Sequence, residues 1–155
     1  MYPEGLAHLD PATVSVIRYR LEATAGQMGL VMQQTAASQL LNQAYDFSTA
    51  IFDGGGRMVA QAEHIPIHIG AMPLAVRALL AQFEENIRDG DVLVSNDPYH
   101  GGSHLPDVTV VRPLFHGDRL AFFVAVRAHH NDIGGAAHGG YNAAAYEIYQ
   151  EGLRP

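Results

Sequence analysis

The chain has 155 residues, 48% of them hydrophobic, and a formal net charge of -7 from 9 Lys+Arg against 16 Asp+Glu. A chain of about 150 residues can bury roughly 70% of its unfolded surface as one domain without staples. The lack of cysteine rules out disulfides and thiolate metal sites, and basic residues that form no cluster argue against nucleic-acid binding through phosphates.

The N-terminus, Met1-Tyr2-Pro3-Glu4-Gly5, has neither a basic n-region nor an apolar h-region, and the apolar stretch Leu120 to Val126 is too short to span a bilayer. These features predict a cytoplasmic chain without a membrane partner. The first predicted element starts at Asp10-Pro11, a capping carboxylate followed by proline at the first helical position. Val14, Ile17, Leu21, Ala25, Met28 and Met32 recur at helical spacing, a stripe expected to face a core, while Gly26 and Gly29 weaken the helix. Helical signal fades through Thr35 to Leu41.

Two β-type runs, Asn42 to Asp53 and Arg57 to Ala60, flank Gly54-Gly55-Gly56, which reads as a hairpin loop with positive φ angles. Asp46 then sits at a strand start, where a carboxylate serves as cap, solvated rim or ligand. In His64-Ile65-Pro66-Ile67-His68-Ile69-Gly70, alternation predicts an extended segment with His64 and His68 on one face, and Pro66 argues against a central strand. Pro73 is expected to open a second amphipathic helix carrying Leu74, Val76, Leu79, Leu80 and Phe83, closed by Asp89-Gly90. Val92-Leu93-Val94 reads as a short strand feeding a turn at Asn96-Asp97-Pro98.

The most informative stretch runs from Asn96 to Gly135. Two apolar runs, Val108 to Phe115 and Leu120 to Ala128, are joined by His116-Gly117-Asp118-Arg119, a hairpin turn by composition. Antiparallel pairing lays the start of the first run beside the end of the second, which brings His104 and Asp107 near His129 and His130. Imidazole nitrogen and carboxylate oxygen at a strand end suit a first-row divalent ion bound at about 2.0 to 2.2 Å, so zinc, manganese or iron is the expected class. The bland alternative is a loop in which Asp107 accepts backbone hydrogen bonds and His104 is a surface imidazole.

His129 and His130 are adjacent, so in an extended segment they face opposite ways and only one can bind a given ion. His130 or Asp132 is then the candidate to orient water or act as base, the alternative being a group that holds a ligand's other nitrogen. His64, His68 and His100 read as structural or rim residues. Arg127 could bind an anionic intermediate or pair with Asp97 or Asp107. Gly101, Gly102, Gly134 and Gly135 read as turn geometry, with close approach to substrate or partner as the alternative. Beyond Gly135 the pattern breaks into loops, and the chain stops at Glu151 to Pro155 with no finished element. The fold class expected is α+β: antiparallel hairpins forming a small sheet, with two amphipathic helices packed on it.

Seven stretches, in order, resemble the hydantoinase B and oxoprolinase type subunit, a family found also in caprolactamase and in acetone and acetophenone carboxylases. They are Asp10-Pro11-Ala12-Thr13, Asp46-Phe47-Ser48, Val59-Ala60-Gln61, His64 to Met72, Asn96 to Asp107, Arg127-Ala128-His129-His130 and Gln150 to Arg154. The resemblance implies metal ligands at Asp46, His104, Asp107 and His129. It also implies that residues 1–155 form the N-terminal part of a longer subunit, cut at the C-terminus. The implied chemistry is shared with a hydantoinase A-type partner subunit, which uses ATP to phosphorylate a carbonyl oxygen of the small-molecule substrate. This subunit would then open an activated cyclic amide, a hydantoin, 5-oxoproline or lactam, with water made acidic by the metal. No nucleotide site is expected here, because Gly101-Gly102-Ser103 lacks the lysine and spacing of a phosphate-binding loop. The alternatives are a carboxylase subunit acting on an activated ketone and a fragment that is inactive without the rest of its subunit.

Overall fold

The computed structural model describes residues 10–62 and 64–155. Met1 to Gly5, read above for a leader, lie outside them. Helix α1 (Pro11–Thr35) is capped by Asp10, whose side chain accepts from the Thr13 N–H, and a short α2 (Gln39–Asn42) follows. The hairpin β1 (Phe47–Asp53) and β2 (Met58–Ala62) leads into α3 (Pro66–Phe83). Then come β3 (Leu93–Ser95) and the long hairpin β4 (Asp107–His116) and β5 (Arg119–His129). All pairings are antiparallel, in the order β2-β1-β5-β4-β3.

The period-2 alternation of the strands sorts side chains to two faces, each covered by one helix. Ala50, Phe52, Phe123 and Ala125 pack against Ile69, Met72, Val76 and Leu79 of α3. Their neighbours Ile51, Phe122 and Val124 point the other way, onto Leu21, Ala25 and Met28 of α1. The α1 stripe is therefore only half used: Val14 and Ile17 remain 47% and 49% exposed. A helix of 25 residues spans about 37 Å, against about 23 Å for the seven residues of β1, so its first turns overhang the sheet. Val94, Val110 and Leu114 are also exposed.

Three expectations are corrected. The segment around His68 is not extended and the second helix does not open at Pro73. It starts at Pro66 and runs through Pro73. Pro66 occupies the first turn, where a missing N–H is harmless, whereas an interior proline costs about 3 kcal/mol. Burial of Ile69, Met72, Val76 and Leu79, roughly 1.5 to 3 kcal/mol for each large side chain, outweighs that cost. By length and composition α3 is also the one helix among the described residues that could cross a membrane, 18 residues of mean hydropathy 1.2, and it lies against the sheet. In the first hairpin only Gly56 of the three glycines has a positive φ, while Gly54 is needed because a Cβ there would stand 2.6 Å from the Leu120 carbonyl oxygen.

Candidate metal centre

The β4–β5 register pairs Asp107 with His129, so the first residue of one strand faces the last of the other. Cross-strand partners hold their Cβ atoms about 5 Å apart, within reach of a carboxylate and an imidazole. His104 approaches from the preceding turn. Its Nδ1 lies 3.0 Å from Asp107 Oδ2, and His129 Nδ1 lies 3.1 Å from Asp107 Oδ1. Ser103 donates its hydroxyl to Oδ2 of the same carboxylate. One donor atom from each of His104, Asp107 and His129 falls within 4.8 Å of the others.

The turn is held in place by close packing. Gly101 has φ +91°, and a Cβ there would stand 2.2 Å from the Ala75 backbone nitrogen on α3. Close approach is therefore what this glycine provides, toward the chain's own helix. Asn96, buried, donates from Nδ2 to the carbonyls of Leu105 and Leu153, both at 2.8 Å, tying the turn to the C-terminal segment. Arg127 is fully buried and donates to Thr109 Oγ1 at 2.7 Å and to the Gly101 carbonyl at 2.9 Å. It reaches no cleft, and among the described residues no ion pair joins it to Asp97 or Asp107.

Electrostatics follow from burial and these bonds. Burial alone would raise the pKa of Asp107, but hydrogen bonds from His104, His68 and Ser103 outweigh it and hold the carboxyl well below the usual range. The bond to Asp107 raises the pKa of His104 against the opposing effect of burial, with help from the charges of Asp107, Asp46 and Glu151. Burial lowers the pKa of Arg127, opposed by the charge of Asp107.

Asp46 precedes β1 at the same end of the sheet. Its backbone carbonyl accepts from the His129 N–H at 3.0 Å, and its carboxylate faces His68 Nε2 at 3.7 Å. His130 and Asp132 stand apart from the cluster. His130 is exposed, with its backbone N–H on the Pro106 carbonyl. Asp132 accepts from the Gly134 N–H and pairs with His138 at 3.0 Å. His100 pairs with Asp97 at 2.7 Å, and His64 packs on Phe47 and Tyr45 beside Gly29.

The residue that reading the chain undervalued is His68. It lies on the first turn of α3, 2% exposed, with Nε2 3.4 Å from Asp107 Oδ1. A signal was present: His68, Met72, Ala75, Val76 and Leu79 share the buried helical stripe, which becomes visible once the helix starts at Pro66.

Two imidazole nitrogens and a carboxylate oxygen within 4.8 Å of one another are donor types that first-row divalent ions take. The residues present therefore fit a divalent ion. Beside His104 opens a cleft of ≈ 370 Å³, lined in part by Tyr99, Ser103, Tyr146, Glu147 and Glu151. These features define a class: a helix–sheet–helix α+β domain with nitrogen and oxygen donors gathered at one end of the sheet.

Comparison with known proteins gives the particular family. Residues 10–155 match Hydantoinase B/oxoprolinase, and the chain belongs to that family. It is 43% identical over 143 residues to 5-oxoprolinase 1 of Arabidopsis thaliana, covering 92% of this chain and 11% of that protein. To caprolactamase subunit beta of Pseudomonas jessenii it is 40% identical over 146 residues, 94% of this chain and 25% of the relative. The solved structure of the ATP-dependent caprolactamase from that organism superposes with TM-score 0.88 at 39% identity, over 95% of this chain and 25% of the other. The nucleotide-free structure of an acetone carboxylase shares the fold, with TM-score 0.86 at 22% identity over 97% of this chain and 21% of the other. The chain thus spans between a tenth and a quarter of the length of these relatives.

Proposed function

We propose that this chain is the metal-bearing N-terminal part of a subunit that opens an ATP-activated cyclic amide, a hydantoin, 5-oxoproline or lactam. The convergence of His104, Asp107 and His129 within 4.8 Å carries the reading, and the likeness to a 5-oxoprolinase and a caprolactamase subunit supports the substrate class. His104, Asp107 and His129 would hold the ion, and the family resemblance adds Asp46, which lies outside that 4.8 Å group at the same end of the sheet, as the fourth ligand. Bound there, zinc, manganese or iron supplies Lewis acidity and makes water acidic near neutral pH. Ser103 and His68 hold Asp107 ionised and oriented, and the cleft beside His104 offers room for a small ring. In this reading the partners are the remainder of its own subunit and a hydantoinase A-type subunit that consumes ATP.

The direct test is metal analysis of the purified chain beside Asp107→Ala and His129→Ala. Both variants are expected to lose the ion. Unchanged metal content in both removes the site. ATP-dependent turnover of 5-oxoproline, hydantoin or caprolactam with the partner subunit present tests the reaction, and turnover of acetone instead would assign a carboxylase.

A further inference from the structure

His68 faces both carboxylates of the proposed site, yet it lies outside the group of donors that converge on one point. Its Nε2 is 3.4 Å from Asp107 Oδ1 and 3.7 Å from Asp46 Oδ1, and the ring is 2% exposed. Its Nδ1 is buried without a hydrogen-bond partner. A hydrogen on Nδ1 would be an orphan donor, whereas on Nε2 it faces two carboxylate oxygens. The chemistry therefore favours the tautomer with the hydrogen on Nε2.

We infer that His68 is a positioning residue. Its Nε2–H donates to Asp107 and stands over Asp46, fixing the orientation of both carboxylates toward a divalent ion without ligating it. Without a donor there, either carboxylate is free to turn about its side-chain bonds. A donor on a rigid helix removes that freedom. Packing of Ile69 and Met72, the neighbours of His68 on α3, against the sheet anchors the ring relative to β4 and β5. The inference rests on the metal-centre reading above, so its test must separate the two.

The test uses the 155-residue chain as wild type, His68→Gln, His68→Asn, His68→Met and Asp107→Ala. Cobalt(II) is the probe, followed by its visible absorption and by chelator competition, with urea unfolding of each variant alongside. A Gln amide nitrogen reaches the position of Nε2, an Asn amide does not, and Met fills the space without a donor. We expect Asn and Met to weaken cobalt affinity by about 10- to 100-fold and Gln to stay within roughly threefold of wild type. The absorption spectrum of the saturated Gln variant should match wild type, because the ligands are the same. Wild-type affinity in Asn or Met, or a Gln variant as weak as they are, overturns the inference. So does a changed spectrum in the Gln variant, which would make His68 a ligand, or loss of the fold in every His68 variant, which would make its role structural. Failure of the metal-centre reading looks different: wild type then binds no cobalt, or Asp107→Ala binds as tightly as wild type.

Discussion

Gly101→Ala probes how the turn carrying Ser103 and His104 is held on α3. The new Cβ would meet the Ala75 nitrogen at 2.2 Å, the Leu74 carbonyl carbon at 2.5 Å and the Ala75 Cα at 2.8 Å, at φ +91°. All three are helix backbone, which cannot turn aside as a side-chain tip can. The left-handed conformation costs alanine about 1 to 2 kcal/mol, and relieving the clash roughly 1 to 3 more. Gly90→Ala isolates the first effect, since Gly90 has φ +92° and a Cβ there would find nothing within 4 Å. Urea unfolding should therefore show Gly101→Ala losing about 2 to 5 kcal/mol and Gly90→Ala about 1 to 2, with similar m-values. In a domain of this size each kcal/mol lowers Tm by about 2 to 4 °C. Cobalt affinity should fall in the first variant and hold in the second. Equal destabilisation by the two would refute the idea that the turn is packed on the helix by close backbone contact.

Two further expectations follow from single buried side chains. Asn96→Ala strips a donor from the carbonyls of Leu105 and Leu153; the first bond is buried, and at about 1 to 3 kcal/mol for an orphaned buried group the variant should destabilise by about that much in urea unfolding. Hydrogen exchange should quicken at the Leu153 N–H, which bonds the Ile133 carbonyl. Asp97→Asn addresses acid stability. Burial would raise the pKa of Asp97, but His100, the Tyr99 N–H and Arg154 together lower it below 3.8. A depressed folded pKa stabilises above the unfolded value, and that stability is lost as pH falls through the folded value. The wild type should therefore lose stability below about pH 4 more steeply than Asp97→Asn, measured as Tm against pH. Asp53 and Asp107, also depressed, keep part of the slope in the variant.

The sequence by itself determined the two hairpins, because turn composition and strand alternation are local properties of consecutive residues. The approach of Asp107 to the end of the partner strand came with them, whereas its pairing with His129 rather than Ala128 depends on a bulge at Leu114/Phe115 that shifts the register by one residue. The Asp10 cap and the Pro11 start of α1 were legible for the same reason. What only the tertiary structure decided is where α3 begins and what it carries to the site. A proline is compatible with a first turn, an extended segment or, at a cost, a helix interior, and Pro66 and Pro73 are resolved only by the apolar burial that the sheet offers the whole helix. That choice turns His68 inward to Asp107 and Asp46, a contact between residues far apart in the chain that no local pattern encodes.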